Sequence, residues 1–280
     1  MSKRSFCSTC TTCPLSAGTT LLKTTAPSEG LNKDDTDYYR TAVGKMGYLT
    51  NTMPALCFPF SELSSHMHAP SAAHLDALRH VIRYINGHAD KGYTVHKDDL
   101  PLRVTGYGDS DYATHPDGRK SVSGKIIFVG RTPYAYSSSR QTAVATSSAE
   151  AELFALYDAC ACVVEARVAL EALGLLAPGP SRVYSDSDAA IQNVINGGHQ
   201  FARALYKHHA VRLFKMRELV DTGLIDIQPI NTNDNIADIF TKALPASVLR
   251  HHLANLHAGT VIGLPDSTGA YPPPGRLPRR

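Results

Sequence analysis

At 280 residues, 43% of them apolar and 19% charged, the chain has the material to bury the core of one large or two modest domains. A formal charge of +3 permits a nucleic-acid partner without demanding one. No run of ~18 apolar residues exists, because the most apolar stretch, 151–176, is broken by Glu165, Arg167 and Glu171, so no membrane span is expected. The N-terminus lacks a secretory apolar segment, and an intracellular compartment is expected, with no targeting signal to choose between cytoplasm and nucleus.

Residues 1–37 are rich in Ser, Thr and Gly without sustained periodicity and read as an extended or disordered lead-in. Cys7, Cys10 and Cys13 have metal-knuckle spacing, but no further Cys or His follows before Cys57, so zinc binding is the weaker reading of the leader. A helical unit is expected over 38–98. Asp37 is the expected N-cap of its first helix. Ser71 caps another, in which Ala72, Leu75, Leu78, Ile82 and Ile85 recur at helical spacing and Gly87 ends the run.

From about residue 99 the pattern changes to strands. Segments 102–108, 122–129 and 132–138, punctuated by Gly130, predict a three-stranded meander. A long helix is predicted from Ser147 to Leu173, with Glu150 and Glu152 in its first turn, where negative charge suits the helix dipole. It carries Cys160 and Cys162 as core thiols. A short strand at 182–185, a helix through Ala189 to Ile195 ended by Gly197-Gly198, a basic helix at about 207–221, a strand at 224–230 and a helix at 235–244 complete the order β-β-β-α-β-α-α-β-α. That order is an α/β domain with a mixed sheet flanked by helices, expected to span 99–257. The Pro/Gly-rich end, 258–280, reads as a disordered tail.

Four acids stand at the edges of these elements: Asp109 after the first strand, Glu152 in the long helix, Asp186 at the end of the fourth strand and Asp238 in the last helix. Carboxylates are the hard oxygen ligands that divalent cations take, and two such cations activate water and stabilise a leaving oxygen in phosphodiester hydrolysis. At 100° per residue, the apolar stripe Ala149, Leu153, Leu156, Cys160 and Val163 leaves Glu152 on its border and turns Glu150 further toward solvent. Asp188 belongs to the following helix as a cap, which favours Asp186. Asp109 and Asp111 share strand parity, and spacing does not choose between them. Gly106 and Gly108 lack the third glycine and helix start of a nucleotide loop.

The blocks GYGDSDYA, DGRKSVSGKIIFVG, YAYSSSRQTAVATSSAEAELFAL, VYSDSDAAIQ and NIADIFTKALP, in this order over about 100–245, resemble the RNase H region of copia-type LTR retrotransposon polyproteins. YRTAVGKMGYLTNT and AHLDALRHVIRYINGH resemble the segment that joins reverse transcriptase to it, so the likeness extends over roughly 13–257. It implies an RNase H-like fold and metal-dependent hydrolysis of the RNA strand of an RNA·DNA hybrid with two Mg²⁺ or Mn²⁺ ions. Carried over by position, Asp109, Glu152, Asp186 and Asp238 become the metal ligands and catalytic acids. Asp109, Glu152 and Asp186 would hold one ion, Asp109 and Asp238 the second, and the likeness chooses Asp109 over Asp111.

The chain departs from the family pattern where Tyr112 and Tyr136 stand for tryptophans, Ala210 for an acid after His208, MPAL (53–56) for an Arg-Pro-Asp sequence and Ala243 for a proline. None of these is one of the four acids. The aspartate pairs Asp34-Asp35 and Asp98-Asp99 lack the flanking apolar strand of a polymerase site, so no polymerase activity is expected and the chain reads as the C-terminal part of a polyprotein. The partners implied are the RNA·DNA hybrid and the reverse-transcriptase portion of the same polyprotein, in a cytoplasmic virus-like particle or the nucleus. Arg119, Lys120, Arg140, Lys207, His208 and His209 are candidates for contact with phosphates, which such proteins bind without reading bases. A second class of function fits the same residues: a catalytically silent remnant that keeps the fold as a nucleic-acid- or protein-binding module.

Overall fold

The computed structural model describes residues 11–24, 30–113, 118–196 and 207–259, the side chains of 207–209 excepted. The described residues form two units, one of those up to Tyr93 with Lys242–Leu253, the other of those in Thr94–Thr241 with Ala254–Gly259.

In the first unit, α1 (Lys33–Leu49) is opened by Asn32, whose side chain accepts from the Asp35 N–H at 2.9 Å. The expected cap, Asp37, lies inside the helix instead. Asn32 wins because its side-chain oxygen can satisfy a first-turn N–H, with Asp34 and Asp35 placed at the positive end of the dipole. Tyr39, Val43 and Met46 recur on one buried face, and the Tyr39 hydroxyl donates to the Leu63 carbonyl at 2.7 Å. A 3₁₀ turn, Pro54–Leu56, leads into α2 (Cys57–Ser64). Ser71 caps α3 (Ala72–Gly87) as expected, and its N–H donates to His74 Nδ1 at 2.9 Å. Leu75, Leu78, Val81 and Tyr84 form the buried face of α3, while Ile82 and Ile85 are half-buried on its flank.

The second unit is built on a five-stranded mixed sheet. β1 (Val104–Asp111), β2 (Val122–Val129) and β3 (Thr132–Arg140) form the antiparallel meander, and β4 (Ser181–Ser185) and β5 (Ile225–Pro229) add in parallel on the other side of β1, in the order β3-β2-β1-β4-β5. The parallel pair is fed by helical crossovers, as strand sense requires. α4 (Ser148–Ala172), α5 (Asp188–Ile195) and α6 (Lys207–Asp221) supply Leu153, Leu156, Val163, Ile191, Leu213 and Met216 to one core with Val104, Ile127 and Val183. The last helix, α7, is Ala246–Ala258. No helix of the described residues is long and apolar enough to cross a membrane.

The absence of side chains at Gly106 and Gly108 lets α4 lie close on β1. A Cβ at Gly106 would fall 2.7 Å from Val163 Cγ2, and one at Gly108 would fall 3.1 Å from the Ala155 carbonyl oxygen. These glycines serve helix–strand packing. Tyr107, of the opposite parity, stacks on Tyr184 at 5.3 Å and meets Phe128 edge-on. The expected helix over 235–244 is a 3₁₀ helix, Ile236–Phe240, with all five residues buried. Its turns close by three-residue bonds, Asp238 N–H to Asn235 O at 3.1 Å and Thr241 N–H to Asp238 O at 3.2 Å. A segment buried all round has no apolar stripe to select an α-helix, and tethers to β1 hold the tighter turn.

Candidate metal centre

Asp109 lies within β1, two residues before its end, and is 3% exposed, so the expectation that it follows the strand is corrected. Burial follows from its register: Gly124 is its cross-strand partner and leaves room for the 3₁₀ helix to cover it. Asp111, two residues on, is half-buried and outside the acidic group described next.

Ligand atoms of Asp109, Glu152 and Asp186 all lie within 4.8 Å of one another. Asp186 sits between β4 and Ser187, the N-cap of α5, so the end of a parallel strand delivers it beside Asp109. Glu152 comes from the second turn of α4. Its Oε1 accepts from the Ser110 hydroxyl at 2.9 Å, while its buried Oε2 has no hydrogen-bond partner among the described residues. Burial first, then the charges of Asp109 and Asp186, push the Glu152 carboxyl up to about 9, against the opposing hydrogen bonds from Ser110. Three mutually repelling carboxyls with a bare buried oxygen match the donor chemistry of a hard divalent cation.

The two glutamates near the start of α4, Glu150 and Glu152, differ in a way that helical angles alone did not resolve. Glu150 is 2% exposed, not solvated: its Oε2 accepts from the Thr146 N–H and hydroxyl, each at 2.7 Å, and its own N–H donates to Ser147 Oγ at 3.2 Å. It is a capping residue, folded back over the residue before the N-cap.

Asp238 is 5% exposed, in the 3₁₀ helix, and is not one of the three clustered acids. Its segment is nevertheless joined to Asp109 by residues that sequence reasoning passed over. Asn235 Nδ2 donates to the Gly108 carbonyl at 3.2 Å, and Thr241 Oγ1 donates to Asp109 Oδ2 at 2.6 Å. The only signal in the sequence was proximity to Asp238 in the NIADIFTKALP block.

Of the residues expected to meet phosphate, Arg119 is exposed with φ +50°, Lys120 is half-buried, and Arg140 lines a cavity of about 300 Å³ with Gln141, Phe154, Asp158 and Arg212. The Arg212 guanidinium lies 5.1 Å from the Phe154 ring centre and 5.3 Å from that of Tyr157. The side chains of Lys207, His208 and His209 lie outside the described residues, as do Cys7 and Cys10; Cys13 is a free thiol. Tyr136, standing where the family pattern has a tryptophan, stacks on Phe240 at 5.8 Å and so braces the 3₁₀ helix.

The chain is 30% identical over 240 residues to a retrovirus-related Pol polyprotein from transposon RE2 of Arabidopsis thaliana, covering 86% of this chain and 16% of that protein. It is 31% identical over 208 residues to the corresponding polyprotein from transposon TNT 1-94 of Nicotiana tabacum, covering 74% of this chain and 15% of that protein. The chain thus spans about one sixth of the length of these relatives. No protein-family model matches it. Among solved structures, the N-terminal RNase H domain of a Mycobacterium tuberculosis protein, fused to maltose-binding protein, aligns with a TM-score of 0.36 at 12% identity, over 55% of this chain and 98% of that one.

Proposed function

The chain's homologues are retrovirus-related Pol polyproteins of copia-type transposons, and its mixed five-stranded sheet is flanked by helices; from that premise we propose that it is a member of that family with an RNase H-like α/β fold, and a metal-dependent ribonuclease that hydrolyses the RNA strand of RNA·DNA hybrids. The observation that carries the proposal is the group formed by Asp109, Glu152 and Asp186, with ligand atoms within 4.8 Å. These residues would hold one Mg²⁺ or Mn²⁺ ion. Asp109 and Asp238 would hold a second, and all four are the proposed catalytic acids. Bound divalent cations supply charge that activates water and stabilises the leaving oxygen of a phosphodiester.

The chain's own residues do the remaining work. Ser110 orients Glu152 by donating to Oε1, which leaves Oε2 for a cation. The rigid β1–β4 pair sets the spacing of Asp109 and Asp186, so the ligand positions exist before substrate arrives. Arg140, and the cationic residues at 119, 120 and 207–209, would meet backbone phosphates and give binding without base preference. The reverse-transcriptase portion of the same polyprotein is the proposed protein partner.

Cleavage of a labelled RNA·DNA hybrid by the full chain, with Mg²⁺ and separately with Mn²⁺, tests the proposal beside Asp109→Asn and EDTA controls. Metal-dependent cutting of the RNA strand that Asp109→Asn abolishes is the expected result. A folded protein that binds hybrid and cuts neither with Mg²⁺ nor with Mn²⁺ would overturn it in favour of a silent binding module.

A further inference from the structure

The segment 235–241 is fastened to β1 at both ends, by Asn235 to the Gly108 carbonyl and by Thr241 to the Asp109 carboxylate. Asn235 and Thr241 are both fully buried, and the bonds join residues 127 and 132 positions apart. The Thr241 hydroxyl has a single proton and two oxygens in reach, Asp109 Oδ2 at 2.6 Å and the Asp238 carbonyl at 3.2 Å. The shorter contact is to the charged acceptor, where an O–H donor bonds most strongly, so the proton is committed to Asp109.

We propose that Thr241 is a positioning residue of the metal centre, holding the Asp109 carboxylate in one rotation and keeping the Asp238 segment beside it. This rests on the reading of Asp109, Glu152 and Asp186 as cation ligands. The terminal torsion of a carboxylate is broad, and the bond from Thr241 narrows it for Asp109. With Oδ2 held by Thr241, the orientation that faces Glu152 and Asp186 persists without an ion. Ser110 does the same for Glu152 Oε1, so two hydroxyls from different elements each hold one carboxylate oxygen. Thr241 also stands three residues after Asp238 and closes the 3₁₀ turn through its N–H, so the side chain that orients Asp109 belongs to the turn that carries Asp238. Outer-shell partners of this kind set ligand geometry, and their loss weakens metal binding by about 10–100-fold.

The test is Mn²⁺ binding by calorimetry on the full chain, with melting in EDTA recorded for each variant. Thr241→Val keeps the shape and removes the donor; Thr241→Ser keeps the donor and removes the methyl. Expected are a loss of affinity of about tenfold or more for Thr241→Val and a change within about twofold for Thr241→Ser. Unchanged affinity in folded Thr241→Val, or equal losses in both variants, would overturn the proposal. Should Thr241→Val fail to fold, Thr241→Ala takes its place, and affinity equal to that of Thr241→Ser would overturn the proposal in the same way. Wild-type protein that binds Mn²⁺ no better than Asp109→Asn would remove the metal centre itself, a result read before any Thr241 variant is compared.

Discussion

Gly124 stands directly opposite Asp109 in the β1–β2 register, and a Cβ placed on it would lie 2.7 Å from both the Ala237 carbonyl oxygen and Thr241 Cγ2. The backbone oxygen cannot swing aside as a side-chain tip can. Gly124→Ala is therefore expected to lift the 3₁₀ helix from the sheet and cost about 1–3 kcal/mol, as overpacking does. Chemical denaturation would measure the loss. A variant as stable as wild type would show that the segment carrying Asp238 is not held by this contact.

Glu152→Gln removes one of three clustered carboxyls while keeping its shape. In metal-free protein near neutral pH it is expected to raise the melting temperature, because burial and the charges of Asp109 and Asp186 make the wild-type carboxyl take up a proton on folding, and the amide needs none. The rise in melting temperature that Mn²⁺ gives the wild type is expected to shrink in the same variant, since a ligand is lost. Thermal melting with EDTA and with Mn²⁺ reads both effects, and a lower melting temperature in EDTA would contradict the first.

The Glu152 carboxyl, pushed up to about 9 from an ordinary 4.5, also sets a pH dependence in the metal-free protein. Between those values the folded state keeps a proton that the unfolded state has lost, so this contribution to stability is full below about 4.5 and is lost as the pH rises toward about 9. Melting in EDTA from about pH 5 to about pH 8.5 should fall more steeply for wild type than for Glu152→Gln, which has no such proton. Parallel curves would remove Glu152 as the titrating group.

Glu150→Ala separates a cap from a ligand. Losing the carboxylate that accepts from the Thr146 N–H and hydroxyl is expected to cost about 1 kcal/mol of stability. Mn²⁺ affinity should stay near that of wild type, in contrast to Glu152→Gln. A large drop in affinity would place Glu150 in the metal centre.

Arg140→Ala addresses the nucleic-acid contact. If its guanidinium meets a phosphate, hybrid affinity falls and the slope of log affinity against log salt becomes shallower by about 1. Filter binding over a salt series measures this, and an unchanged slope would place Arg140 in the wall of its cavity only.

What the sequence by itself determined is local. Strand alternation, the caps Ser71 and Ser147, and helical spacing placed β2, α3 and α4 to within a residue or two, because those signals act between residues a few positions apart. The same reasoning put Asp109, Glu152 and Asp186 at the ends or borders of rigid elements. Tertiary structure decided what surrounds them. Asp109 is buried because Gly124 lets a 3₁₀ helix lie over it, and Glu150 is buried because the chain before α4 folds back onto its carboxylate. Thr241 reaches Asp109 across 132 positions. No periodicity spans that distance. Only the packing of the 3₁₀ helix on β1 and β2 puts a hydroxyl against a carboxylate, and that contact exists only once the sheet has formed.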